Sequence, residues 1–172
     1  GLPDWNYAPR DPEFAAFRTD VKFPWEVARL AFVPRLGAAY RAGGDERHAE
    51  TAARWLTDWC ATQSVGEGVH FSSALEVGIR LIALCQAFHF FRGSRAFDRT
   101  VLEVLIRHTA AAAAWLDGHL STDRVVAGNH LIGELAGLIV TDLYFPEFGG
   151  RNRLARNLPR FAREAERQLA PD

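Results

Sequence analysis

With 172 residues, 48% hydrophobic and 24% charged, and 20 Lys+Arg against 21 Asp+Glu, the chain has the makeup of one globular domain and not of a disordered segment. A chain of this length removes roughly 70% of its unfolded surface from water, so a core can form without disulfide or metal staples. The formal net charge of −1 excludes a generic nucleic-acid or anionic-membrane surface, since both require an excess of cations over phosphate.

Lys22 is the single lysine; every other cation is Arg. The planar guanidinium fork suits carboxylates and sulfates, although GC-rich codon usage explains most of these residues equally well. Cys60 and Cys85 lie in apolar helical contexts without a second pair of metal ligands, so both read as small buried hydrophobes. Neither a zinc site nor a disulfide is expected. No run approaches the ~18 apolar residues of a membrane span, and the opening GLPDWNYAPRDPEF lacks the basic and apolar regions of a signal peptide. A chain without Met is expected to be processed or excerpted, and its compartment is not legible from this end.

Residues 1–24 are rich in Pro, Asp and aromatics without a sustained period, which predicts an extended arm. A helical pattern runs over 25–42. In 45–62 the apolar residues Ala49, Ala52, Ala53, Leu56, Trp59 and Cys60 form one stripe, with Glu50, Arg54 and Asp58 away from it, as in an outward-facing amphipathic helix. Segment 73–91 is apolar nearly all round through Leu75, Val77, Ile79, Leu81, Ile82, Leu84, Phe88 and Phe91, which predicts a buried helix. Helix 97–119 is mixed, carrying Val101, Leu105, Ala112 and Trp115, and helix 130–144 is again apolar on most sides. Helix 153–169 returns to one stripe, Leu154, Leu158, Phe161, Ala165 and Leu169, with Arg153, Arg156, Arg160, Arg163 and Arg167 beside or opposite it.

About six helices and no strand alternation predict an all-α fold. Buried and one-sided helices in alternation suit stacked helical hairpins, as in an incomplete (α/α) toroid over residues 25–172. A plain helical bundle is the alternative.

Three stretches could carry chemistry: DVKFPWEVARL at 20–30, GVHFSSALEVGIRLI at 68–82, and AGNHLIGELAGLIVTDLYFPEF at 127–148. Each has a structural explanation. Ser73 with Glu76 fits a capping box, and Asn129 fits an N-cap. Trp25, Glu26, Arg29, Glu76 and Arg80 fit an internal ion-paired network between neighbouring helices. A lone His is more often a satisfied core residue than a functional one. His130, however, lies four residues before Glu134, so the carboxylate could orient the imidazole. Asn129 and His130 at the start of a helix would place an amide donor, an imidazole and a positive dipole end together, an arrangement that suits a carboxylate.

The order and spacing of these stretches resemble the helical N-terminal domain of the heparinase II/III family and the related alginate lyases. Trp25, Glu26 and Arg29 match its Trp-Glu-x-x-Arg helix, and Ser73, Glu76 and Arg80 match its Ser-x-x-Glu-x-x-x-Arg element. Asn129, His130, Glu134, Gly137, Leu138, Phe145 and Pro146 match the Asn-His motif and its sequel, and the likeness covers residues 20–170. It implies an incomplete toroid preceding a β-sandwich domain, and β-elimination on a uronic acid within an acidic polysaccharide. Asn129 would then neutralise the sugar carboxylate, and His130 would support this or act as acid or base. Trp25, Arg29, Glu76, Arg80, His70 and Glu134 become candidate substrate-binding residues. The resemblance implies no metal and no cofactor, and a bacterial periplasm or cell envelope suits such a substrate.

Two departures stand out. His70 and Phe71 occupy a place where relatives often read Asn-Trp, which alters a sugar-binding surface. The family's catalytic Tyr follows a Gln-x-x-Pro-Asp-Gly segment, whereas this sequence stops at Gln168-Leu-Ala-Pro-Asp172, and Tyr7, Tyr40 and Tyr144 do not match that position. The chain alone is therefore expected to be inactive. Two alternatives follow from the same residues: a non-catalytic polysaccharide-binding or scaffold domain, and an inverting glycoside hydrolase using Glu76 and Glu134, which requires two free carboxylates ~6.5–9.5 Å apart.

Overall fold

The computed structural model describes residues 20–121 and 127–169. Among these residues seven α-helices run α1 (Lys22–Ala28), α2 (Phe32–Gly43), α3 (Glu46–Thr62), α4 (Ala74–Phe91), α5 (Arg99–Asp117), α6 (Ala127–Tyr144) and α7 (Gly150–Leu169), with short 3-10 turns at Val69–Phe71 and Pro146–Phe148. No strand occurs among the described residues, so the fold is all-α, as expected. Most of the expected arm, residues 1–19, lies outside the described residues, and its last part is already the start of α1.

The expected helix over 25–42 is two helices. Pro34 has no N–H to donate, so a continuous helix would lose its bond to the Leu30 carbonyl. The chain breaks ahead of it instead. Leu30 adopts φ +57°, an uncommon conformation for a branched side chain, and full burial of that side chain compensates for it. Pro34 then sits in the first turn of α2, where a missing donor costs little.

α4 packs on α2 along one flank and most extensively on α6 along the other. α3 covers α2, α5 covers α4 and reaches both α3 and α6, and α7 lies on α6. The helices thus form two layers, α2–α4–α6 and α3–α5–α7, which is the alternation of apolar and one-sided helices that the sequence predicts. α4 has the length and mean hydropathy, 1.4, of a membrane-crossing helix. That apolarity is explained by its place among α2, α5 and α6, where it buries Val77, Leu81, Leu84 and Phe91.

Helices α4 and α6 cross at glycine. A Cβ on Gly137 would lie 2.5 Å from the Gly78 carbonyl oxygen, and one on Gly78 would lie 2.7 Å from that of Gly133. The backbones therefore touch, and no side chain fits between them. This close approach fixes the height of α6, and with it the position of its first turn, against α4.

α7 turns differently from the expected stripe. Leu158 and Leu169 are exposed, while Arg153 and Asn157 are buried. The cause is electrostatic: Asp142 on α6 is itself buried, and Arg153 Nε donates to both its oxygens at 3.0 Å. A buried carboxylate needs such a partner, and it rotates α7 so that Arg153 faces inward. Burial pushes the thiols of Cys60 and Cys85 up to about 12 and about 11, so both stay protonated and packed.

Candidate functional site

The residues of the first two stretches meet, and they meet as braces. Arg29 at the end of α1 forks onto Glu76 of α4, Nε to Oε2 at 2.8 Å and an Nη to Oε1 at 2.9 Å, and it also reaches Glu26 at 2.5 Å. This paired geometry raises the Arg29 pKa, chiefly through the hydrogen bond to Glu76. Arg80, 1% exposed, donates to the carbonyls of Ala28 at 2.9 Å and His70 at 3.0 Å. Its guanidinium lies 4.7 Å from the Trp59 ring centroid and 5.3 Å from that of Phe71. Burial pulls its pKa down to about 10, which leaves it charged at neutral pH. Of the five residues read as an internal ion-paired network, Glu26, Arg29 and Glu76 are ion-paired, whereas Arg80 and Trp25 donate to backbone carbonyls.

Several expected roles change accordingly. Glu76 and Arg80 are buried and cannot touch a polymer. Arg29 borders a separate groove of about 340 Å³ beside Ile79 and Ile82. His70 is also buried, with its ring edge-on to Trp59 at 4.9 Å, because Arg80 draws its backbone inward. The Ser73 capping box does not form: Ser73 is the N-cap of α4 but makes no side-chain cap bond, since Glu76 has turned to Arg29.

A cleft of about 430 Å³ opens where the turn before α4, the end of α5 and the start of α6 converge. Trp25 lines it, its indole N–H fixed to the Val69 carbonyl at 2.8 Å. Phe71 and Ser72–Ala74 line it from the turn before α4, and Trp115, His119 and Ser121 line it from the end of α5 and the segment after it. His130 completes the lining from the first turns of α6. It is half-buried, and Asn129 beside it is exposed. Because α6 begins at Ala127, Asn129 lies within its first turn and is not the N-cap.

Glu134 is fully buried and takes a different partner from the one expected. The Ser121 backbone N–H donates to Oε2 at 2.7 Å and its hydroxyl donates to Oε1 at 2.6 Å. No hydrogen bond joins Glu134 to His130 among the described residues. Glu134 ties the exit of α5 to α6 and so holds these two parts of the cleft lining together. With Glu76 in an inward ion pair and Glu134 clamped on Ser121, the glycoside-hydrolase alternative lacks both of its free carboxylates.

Sequence reasoning missed the part of the lining that comes from the end of α5. Trp115 appeared as a helix residue only, and His119 and Ser121 were not distinguished. The one available signal was the spacing of Trp115 and His119, four residues apart, which places two flat rings on one helical face. Among the described residues there is no group of three or more His, Cys, Asp or Glu able to hold a metal.

The family described as heparinase II/III N-terminus matches residues 3–172. A heparin-sulfate lyase of Bacteroides stercoris is 27% identical over 166 residues, covering 84% of this chain and 23% of the relative. The chain therefore spans under a quarter of that relative's length. No solved structure matches it.

Proposed function

The chain belongs to the heparinase II/III N-terminal family, and on that premise we propose that it is the helical part of a lyase that cleaves a uronic-acid-containing polysaccharide by β-elimination. The observation that carries this reading is the pairing of an exposed Asn129 with a cleft-lining His130 in the first turns of α6. We read the two helical layers over residues 25–172 as an arc of an incomplete (α/α) toroid whose substrate groove includes this cleft.

The chemical difficulty is that a proton beside an ionised carboxylate is hardly acidic. Donors placed where negative charge grows lower that barrier, and an amide donates to a carboxylate without competing for its proton. Asn129 takes that part. Abstraction of the C5 proton then leaves an electron pair that forms the C4–C5 double bond as the C4–oxygen bond breaks, and the leaving oxygen takes up a proton. His130, at the groove wall, is placed to support the carboxylate or to move one of these protons. Other groups of the reaction belong, in this reading, to a downstream β-sandwich, and residues 1–172 alone are inactive.

The test is ultraviolet absorbance of the conjugated unsaturated uronate, followed with the protein as its gene encodes it on uronate polymers. The expected result is product from the wild type and at least a ~100-fold loss in Asn129→Ala, the size of effect seen when one such donor is removed. Full activity in that variant removes Asn129 from the mechanism. Retained polymer binding without product from any polymer replaces the lyase by a binding or scaffold domain.

A further inference from the structure

The part of the cleft lining that comes from the end of α5 has a chemistry of its own. The imidazole of His119 lies parallel to the Trp115 indole, with centroids 4.1 Å apart and planes 8° apart. Its Nδ1 is 2.6 Å from the Trp115 carbonyl oxygen. A carbonyl oxygen only accepts, so Nδ1 must carry the hydrogen, and in the neutral ring the lone pair is then at Nε2. The ring can neither rotate nor change tautomer without losing this bond. Trp115 is itself wedged. Phe71 meets it edge-on at 5.3 Å, and Gly66, at φ +86°, approaches so closely that a Cβ would lie 3.1 Å from the indole nitrogen.

Ser121, which lines the same cleft, is fixed in the same sense. Its hydroxyl hydrogen points to Glu134, which leaves the oxygen lone pairs to accept. Ser121 and the neutral form of His119 thus present acceptors to the cleft, while Asn129 at the start of α6 can donate. Such acceptors disfavour carboxylate and sulfate and pair with hydroxyl.

We propose that His119 and Ser121 form a hydroxyl-binding subsite, in which Nε2 of His119 accepts a hydrogen bond from a neutral sugar hydroxyl while the acidic group of the same sugar is held at Asn129 and His130. This rests on the reading of the cleft as a uronate site and adds the orientation of the sugar within it. His119 is a binding and specificity-determining residue here, not a catalytic one.

The test uses the protein as its gene encodes it and a uronate oligosaccharide that the wild type cleaves. His119→Phe keeps a flat ring on Trp115 and removes the acceptor. The expected result is a KM raised roughly three- to tenfold, the equivalent of one lost hydrogen bond, with kcat little changed. An oligosaccharide lacking the matched hydroxyl should show the same rise with the wild type and none further with the variant. A complementary measurement on unmodified residues 1–172 is the long-range nitrogen–proton NMR spectrum of His119, where the neutral ring should show a protonated Nδ1 and a bare Nε2. Wild-type KM in His119→Phe, or an Nε2-protonated tautomer, overturns the subsite while leaving the lyase reading intact. Absence of unsaturated product from the wild type overturns the lyase reading and the subsite with it.

Discussion

The bracing network behind the turn at Val69–Phe71 and the cleft in front of it draw on the same residue types for opposite ends. Behind the turn, Arg29, Glu76 and Arg80 are paired with carboxylate, carbonyl and aromatic partners. In front of it, His130, Asn129 and His119 are half-buried or exposed, and the described hydrogen bond of His119 leaves one ring nitrogen for a ligand. A polar group buried against internal partners holds elements together, whereas one with a bond in reserve at an open surface can recognise a ligand. Substitutions should therefore separate the two regions: the braces and core contacts should cost stability, and the cleft should cost activity alone.

The largest stability effect is expected at the buried Asp142–Arg153 pair. Asp142→Ala strands a guanidinium that is 9% exposed, at a cost of about 3–5 kcal/mol and a melting temperature lower by about 10 °C. Thermal unfolding followed by circular dichroism measures it, and a shift of a degree or two would show that α7 is not anchored this way.

Next is the acid side of the stability profile. His108 on α5 is 6% exposed, and burial, with the nearby Arg80 charge second, pulls its pKa from 6.5 to about 4. The unfolded chain takes up this proton first. Stability contributed by the neutral ring is thus complete above the unfolded value and is lost as pH falls from 6.5 towards 4, by up to about 3 kcal/mol. Urea unfolding across that window should show the loss, and His108→Gln should flatten it.

Gly137→Ala follows, because its Cβ would meet the Gly78 backbone and not a movable side chain. The expected cost is about 1–3 kcal/mol, and the tilt it forces on α6 should also displace His130 and lower activity. Smallest in stability is Asn129→Ala at the exposed start of α6, expected within about 0.5 kcal/mol. If it destabilises as much as Asp142→Ala, the distinction between bracing and cleft residues fails.

Apart from the break between α1 and α2, helix positions were legible in the sequence because periodicity reports which face must leave water, and that requirement is local to each helix. The two-layer alternation followed from α4 and α6 being apolar on most sides. Family membership was legible from the spacing of Trp25, Glu76 and Asn129. Roles within the site were read less well. Arg29, Arg80, His70 and Glu134 looked like ligand residues because charge at a helical motif is compatible with either a brace or a groove. Only the partner supplied by another helix distinguishes the two. The rotation of α7 was likewise hidden, since a hydrophobic stripe predicted Leu158 inward and could not weigh a buried carboxylate on α6.

The sequence by itself determined an all-α chain, its apolar central helices and the motif that places an amide beside an imidazole. The tertiary structure decided which polar groups were consumed and which were left over, because hydrogen-bond satisfaction is settled between segments far apart in the chain. Glu134 meets Ser121 and Arg80 meets Ala28 because the glycine crossing seats α6 on α4 and the chain turns at Leu30.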